Sequence, residues 1–419
     1  MTTTVIPGEA TLVREPRKAI PAVLPPAARP FVCMIAYTTY AIDARVRREA
    51  ETLAANGFRV RVLTNRNGAE QAQIDLDGVE ICELAVPKYR GKSKAAYAAS
   101  YARFLMASSA ACARLMRKQK VDVVHVHNLP DFLVFAGLLP RLFGGSKLVL
   151  DVHDSVPETF ATKFSGRSFF TRALCLEERV SAMAAHRVIC VNEPQRDALV
   201  ARGLPVAKTF VSMNVPDPRI FQRSAPARTP AADGAFHLVY HGTMAERLGV
   251  DLLIRAVADL RDSIPGLRLH LWGNGDDLAA FEKLAEHLGV SGRVSFKPAG
   301  YPLQDLPLRL SSMDVGVVGN RRSVASDLML PVKLMEYAAL GIPAIVPRLR
   351  TIQRYFTDQM VSFYEPDNVS SLAQTISRLY QDPAARRFQA LAAHTFLDEH
   401  GWERRGPELV TFYRQLLEI

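Results

Sequence analysis

The chain has 419 residues, 48% of them hydrophobic and 22% charged, which is enough apolar material for two or three cored domains and excludes global disorder. Lys and Arg outnumber Asp and Glu by 52 to 42, and the five cysteines (33, 82, 112, 175 and 190) form no CxxC pair. A zinc ribbon or disulfide scaffold is thereby excluded. No run approaches the roughly 18 apolar residues of a membrane span, and Met1 to Pro30 lacks a secretory apolar core. A soluble, cytoplasmic protein with a flexible leader over 1–30 is expected.

Phe31–Ala36 reads as a buried strand, Asp43 caps a helix running to Ala55 and closed by Asn56-Gly57, and Arg59–Leu63 is the next strand. Ile74–Leu84 reads as two short strands around an Asp77-Gly78 turn. Lys88 to Lys120 then carries Lys88, Arg90, Lys92, Lys94, Arg103, Arg114, Arg117, Lys118 and Lys120 with no acid. Within it, Ala95–Met116 sets Tyr97, Tyr101, Phe104, Leu105, Ala111 and Leu115 near helical spacing. Residues 88–120 fit either an anionic membrane surface, which would make the protein peripheral on the inner face of the cell membrane, or a solvated helix face. The first 216 residues hold 29 Lys+Arg against 19 Asp+Glu and the remainder 23 against 23, so the whole excess of +10 lies in the first half. Nucleic acid is not an expected partner, since neither a zinc finger nor an RRM signature is present.

Val121–Val126, Lys147–Val152 and Arg187–Val191 are further apolar runs, with a helix over Phe169–Ala185. Pro216, Pro218, Pro226 and Pro230 punctuate a polar stretch up to Gly234, the best domain boundary in the chain. The alternation then restarts with His237–His241, the helix Asp251–Asp262, Leu267–Trp272, the helix Asp277–Leu288, Arg293–Phe296, Val315–Val318 and Ala344–Val346. This predicts an α/β protein of two Rossmann-like, doubly wound domains, 31–216 and 235–400, facing each other across a ligand cleft.

The first strand runs into Tyr37–Asp43 without a glycine, and Gly273-Asn-Gly275 lacks a third glycine because Leu278 stands there. Walker A is absent as well, so hydride transfer and P-loop chemistry lose their main support. The informative segment is Leu330-Pro-Val-Lys-Leu-Met-Glu-Tyr-Ala-Ala-Leu-Gly-Ile-Pro343. Pro331 fits the first helical position and Leu330, at the cap, offers no acceptor, so the helix tip is open to an anion. Lys333 in the first turn opposes the helix dipole unless that anion is bound, and Glu336 follows one turn on. Phosphate at the tip and a hydroxyl-bearing group beside Glu336 is the reading, against an exposed Lys–Glu pair. Gly242, directly after a strand, lets backbone approach a ligand closely, and Arg247 in the same loop offers a fork for a diphosphate or is a surface arginine.

These segments together resemble family 4 glycosyltransferases with the GT-B fold. The resemblance runs through Asp43-Ala-Arg-Val-Arg-Arg-Glu-Ala50, Val123-Val-His-Val-His-Asn128, Leu150-Asp-Val-His-Asp154, Asn214-Val-Pro-Asp217 with Phe221, the 241–251 stretch, the Lys333…Glu336 helix and a Trp402 helix. It implies retaining, metal-independent transfer from a nucleotide-diphosphate sugar, UDP- or GDP-linked and a substrate rather than a cofactor. The acceptor implied is a glycan or polyprenyl-diphosphate-linked molecule, in bacterial surface polysaccharide or glycolipid synthesis. By the same resemblance, 401–419 is a helix crossing back to the first domain. His127, Arg247 and Lys333 are the expected catalytic residues. Gly242, Thr243, Arg247, Asn274, Pro331, Lys333 and Glu336 would bind the donor, with Glu336 on the ribose, and Asn128 and Asp154 the acceptor.

Leu328 stands where the family's E-x7-E motif has its first glutamate, with Asp327 beside it. No metal site is expected, because His125 and His127 lack carboxylate or cysteine company in the sequence. A nucleotide-sugar epimerase and a non-catalytic sugar-nucleotide or glycan-binding module are the alternatives. A metal-dependent, single-domain transferase is rejected, since Asp75-Leu-Asp77 runs into a turn.

Overall fold

The structure is a computed structural model that describes residues 29–66, 73–89, 91, 93–163, 169–222 and 234–419. The leader up to residue 28, Arg90, Lys92 and the linker prolines Pro226 and Pro230 lie outside them. The first domain holds eight strands: β1 (Phe31–Ala36), β2 (Arg59–Arg66), β3 (Gln73–Leu76), β4 (Val79–Pro87), β5 (Val123–His127), β6 (Lys147–Val152), β7 (Arg187–Cys190) and β8 (Thr209–Val211). Their order is β3-β4-β2-β1-β5-β6-β7-β8, parallel throughout except for the β3–β4 hairpin. Its helices are α1 (Ala44–Ala55), α2 (Lys94–Lys118), α3 (Leu138–Gly144), α4 (Val156–Lys163), α5 (Phe169–Ala184) and α6 (Glu193–Ala201).

The second domain orders β9 (Phe236–His241), β10 (Leu267–Trp272), β11 (Val294–Lys297), β12 (Val315–Val317), β13 (Ala344–Pro347) and β14 (Ser362–Tyr364) as β11-β10-β9-β12-β13-β14, all parallel. Helices α7 (Val250–Asp259), α8 (Leu278–His287), α9 (Leu306–Leu310), α10 (Val332–Ala339), α11 (Arg350–Tyr355) and α12 (Val369–Gln381) cover it. The chain then runs through α13 (Pro383–Ala392), α14 (His394–His400) and α15 (Trp402–Leu417).

Local chemistry accounts for the boundaries. The Asp43 side chain accepts from the Val46 N–H to start α1, and Asn56 ends it. Ser93 does the same for α2, one turn ahead of the apolar pattern. β2 runs on past Leu63 to Arg66 because β4 continues to pair with it. The apolar side of α2 is core: Phe104, Ala111 and Leu115 are buried against one face of the first sheet with parts of α5. The opposite face of that sheet packs on α1 and α15, in a core continuous with the α10 side of the second sheet. Trp402 donates to the Thr52 hydroxyl at 3.0 Å, and the Tyr413 hydroxyl lies 2.5 Å from His125 Nδ1. Among the described residues no helix is long and apolar enough to cross a membrane.

Candidate functional site

The tip of α10 is the centre of the site. Pro331 occupies the N-cap with extended backbone, φ −65° and ψ 124°, and no side chain caps the helix. The helix thus begins one residue later than the sequence implied, which corrects the placement of Pro331 at the first helical position and of Leu330 at the cap. The physical outcome is unchanged, because proline offers no side-chain acceptor either.

The loop after β9 comes up beside this tip. Gly242 has φ +116°, and a Cβ built there would stand 3.4 Å from Lys333 Nζ. Gly273, at φ +135°, is tighter still, since its Cβ would lie 2.0 Å from the Gly242 carbonyl oxygen. The Lys333 ammonium sits 3.5 Å from the centre of the Tyr240 ring, a cation–π contact that keeps it at the loop. Glu336 is buried on the same helix, with Oε2 3.3 Å from His241 Nε2. Burial pulls Lys333 down to about 7, with Glu336 opposing, and lifts Glu336 to about 7, with Lys333 opposing. His241 is held down to about 3 by burial and then by the Lys333 charge, so it is neutral.

Across the cleft stand residues of the first domain. A cavity of about 160 Å³ is lined by His153, Asp154, Asn192 and Asn214 on one side and by Leu328, Leu330, Pro331, Val332 and Met335 on the other. His153 is positioned by a buried network. Arg45 forks onto Asp151, Nε to Oδ2 at 2.8 Å and Nη2 to Oδ1 at 2.7 Å, and also donates to the Ser212 carbonyl. Asp151 Oδ2 meets His153 Nε2 at 2.9 Å and His127 Nδ1 at 3.1 Å. Burial would raise the Asp151 carboxyl, but Arg45 and His153 outweigh it and hold it well below the carboxylate range. Burial likewise opposes a charge on His153, yet Asp151 wins and raises that imidazole. His127 goes the other way: burial lowers it more than Asp151 raises it, and its Nε2 has no hydrogen-bond partner among the described residues.

The structure thus brings Gly242, Lys333 and Glu336 together and sets Pro331 at the cleft. Arg247 is exposed in the 3-10 turn Glu246–Leu248 of the same loop, near enough for its charge to act on Tyr240. Thr243 is exposed there too, and its carbonyl accepts from the Tyr240 hydroxyl. Asn274 shapes the adjoining loop, its Oδ1 accepting from the Gly275 N–H and its carbonyl from the Met244 N–H. His127 lies behind His153, which takes the cleft-lining place. Asn128 is buried; its amide holds Asp131 and the Asp154 carbonyl while its carbonyl receives the His153 N–H. Asp154 itself is exposed at the cleft. Leu328 lines the cleft, whereas Asp327 lies in a separate depression with Arg322, Arg348, Arg350 and Arg354 and accepts from the Arg350 N–H.

One sequence premise is corrected. The two strand histidines do have carboxylate company: donor atoms of Glu49, His125, His127 and Asp151 all lie within 4.8 Å of one another. Asp151 is the β6 register partner of His127, and Glu49 stands one turn beyond Arg45 on α1, contacts that spacing within β5 could not reveal. The charge among them is already opposed by Arg45, whose Nη2 is also 3.1 Å from Glu49 Oε1.

Comparison with known proteins agrees with this architecture. Residues 41–214 match the glycosyl transferase 4-like domain and residues 235–382 the glycosyl transferases group 1 domain. Sucrose-phosphate synthase from Thermosynechococcus elongatus superposes with a TM-score of 0.74 at 19% identity, covering 93% of this chain and 100% of that one. Anabaena Alr3699/HepE in complex with UDP-glucose superposes at 0.68 with 14% identity, covering 92% and 99%. The fold is therefore GT-B.

The chain thus matches both glycosyl transferase domains in tandem, one over each half. A D-inositol 3-phosphate glycosyltransferase of Kribbella flavida is 26% identical over 87% of this chain and 88% of its own length. A GDP-mannose-dependent alpha-(1-6)-phosphatidylinositol monomannoside mannosyltransferase of Mycolicibacterium smegmatis is 28% identical over 40% of this chain. That match spans only 44% of the relative's length, and the match to a phosphatidylinositol N-acetylglucosaminyltransferase chain of Arabidopsis thaliana spans 53%.

Proposed function

We propose that the protein transfers a sugar, with retention and without a catalytic metal, from a UDP- or GDP-linked donor to a glycan or lipid-linked acceptor in bacterial surface glycan or glycolipid synthesis. The observation that carries this reading is the Lys333 ammonium beside Gly242 at the uncapped tip of α10. Backbone N–H groups, helix dipole and ammonium there converge on one point, the arrangement that suits a diphosphate. Glu336, one turn deeper, offers its carboxyl oxygens to the ribose hydroxyls, and Arg247 a second cation. As the sugar–diphosphate bond breaks and the sugar–acceptor bond forms, the departing diphosphate takes the bonding pair and gains charge, and its oxygen then accepts the proton that the acceptor hydroxyl loses. Lys333, Arg247 and the first-turn amides of α10 stabilise that charge, and preorganised donors of this kind contribute about 3–4 kcal/mol each. His153, with His127 behind it and Asp154 beside it, faces the acceptor side of the cleft. A nucleotide-binding lobe that meets an exposed, basic first domain fits an acceptor carried on an anionic molecule.

Thermal unfolding with UDP, GDP, ADP and their sugar conjugates tests the proposal. A nucleoside diphosphate at 100 times its Kd adds about 2.7 kcal/mol of stability. Lys333→Ala is expected to abolish that shift and lower turnover about 10²–10³-fold. No shift from any nucleoside diphosphate, or a Lys333→Ala variant with wild-type binding and turnover, would overturn it.

A further inference from the structure

Beyond the cleft, the carboxyl edge of the second sheet carries another concentration of charge. Arg322 follows β12, Arg348 and Arg350 follow β13, and with Arg354 of α11 they line a depression of about 790 Å³. Ligands of open parallel sheets bind outside the carboxyl ends of the strands, and a volume of this size suits a small molecule. The turn Ser326–Leu328 separates this depression from the cleft at the α10 tip, Leu328 lining the cleft and Asp327 the depression.

General basicity does not explain these arginines, because the chain beyond residue 216 holds 23 Lys+Arg against 23 Asp+Glu. Nor do the acids nearby neutralise them. Two aspartates share the lining: Asp197 already pairs with Arg196 at 2.8 Å, and Asp327 Oδ1 accepts the Arg350 backbone N–H at 3.2 Å. Arg348 is held by Asp358 at 3.0 Å, by Glu365 at 3.6 Å and over the Phe363 ring. Arg322 is anchored to backbone instead, its Nη2 donating to the Arg348 carbonyl at 3.2 Å. The side chains of Arg322, Arg350 and Arg354 pair with no acid among the described residues. Cations gathered in one concavity repel one another, and the oxygens of a phosphate match the guanidinium fork that each presents.

The far wall belongs to the first domain, where Pro194 and Asp197 of α6 complete the lining. Contacts beside it cross between the domains: Asn192 Nδ2 donates to the Leu328 carbonyl at 2.8 Å, and the Glu193 N–H to the Tyr355 hydroxyl at 2.9 Å. A ligand seated here touches both domains. We propose that this depression is a second anion site, distinct from the α10 tip, which takes a phosphomonoester or diphosphate group through Arg322, Arg350 and Arg354. The group belongs to the acceptor or to a free phosphorylated solute, since both present the same oxygens. The site does not depend on Lys333, so it stands or falls apart from the donor reading.

Isothermal titration of the full-length protein with inorganic pyrophosphate at low salt tests this. Two sites are expected in the wild type and one in Lys333→Ala. In the Lys333→Ala background, Arg350→Gln with Arg354→Gln is expected to weaken the remaining site about tenfold or more while circular dichroism stays unchanged. Arg255→Gln with Arg261→Gln removes the same charge from exposed positions elsewhere in the second domain and should leave that site intact. Geranyl diphosphate that binds there more tightly than pyrophosphate assigns the group to a lipid-linked acceptor, and equal or weaker binding assigns it to a free solute. No pyrophosphate binding by Lys333→Ala, an arginine-pair variant that binds as tightly as its parent, or an equal loss in the Arg255 and Arg261 control would each overturn the proposal. A single site that survives Lys333→Ala and is lost with the arginine pair would leave this site standing and remove the donor reading.

Discussion

An ammonium over an aromatic ring and a carboxyl one turn away, both covered by protein, are each brought to about 7 in Lys333 and Glu336. Below that pH the lysine is charged and the carboxyl protonated; above it the lysine is neutral and the carboxylate charged. The pair thus passes from net positive to net negative as pH rises. Calorimetric titration is expected to show UDP affinity falling as pH rises from about 6 to about 8, by up to about tenfold per unit. An affinity that does not change over that range would show that another group meets the diphosphate. Lys333, Glu336 and Gly242 were legible in the sequence because their spacing along a helix and their place after a strand carry the meaning. His153 and Asp151 were not. Their roles depend on β6 lying beside β5, a pairing between residues 24 apart that no local pattern encodes.

At the scale of elements, α1 shows how charge can mislead. Its run of Arg and Glu looks like a solvated face, yet Arg45, Arg48, Glu49 and Glu51 are all buried. Arg45 joins α1 to β6 through Asp151 and to the segment after β8 through Ser212, so one side chain ties three pieces of the first domain together. Removing one partner of a buried pair leaves the other charge stranded. Arg45→Met is therefore expected to cost about 3–5 kcal/mol in urea unfolding, well beyond the cost of cutting an exposed pair. A loss below about 1 kcal/mol would mean that Asp151 is held by its histidines instead. Many of the longer strands and helices stood out in the sequence through apolar runs and caps, but α12 and α13 were not among them. Three-residue strands such as β8 and β14 did not stand out, because pieces so short owe their form to the neighbours they pair with.

For the whole molecule, the decisive element is α15. Trp402 is buried, bonded to Thr52 and covered by the Arg48 guanidinium 4.5 Å from its ring, while Leu409 and Tyr413 fill the core against α1. Trp402→Ala is expected to cost about 3–5 kcal/mol. Scanning calorimetry should then show the single transition of the wild type separating into two as the shared core loosens. The two-domain plan was readable from the restart of alternating strands and helices after the proline-rich stretch. The helix returning to the first domain was expected from the family resemblance alone, because no local spacing encodes a contact across so long a stretch of chain.

That return has a consequence during synthesis. The first domain is made early, but the layer that seals one side of its sheet leaves the ribosome only after the second domain has been translated. Until then Phe58 and the apolar side of α1 stay uncovered on the nascent chain, waiting for a partner. Stalling or premature termination shortly before codon 402 would release a product with both sheets intact in sequence and a raw apolar surface on the first, a substrate for chaperones.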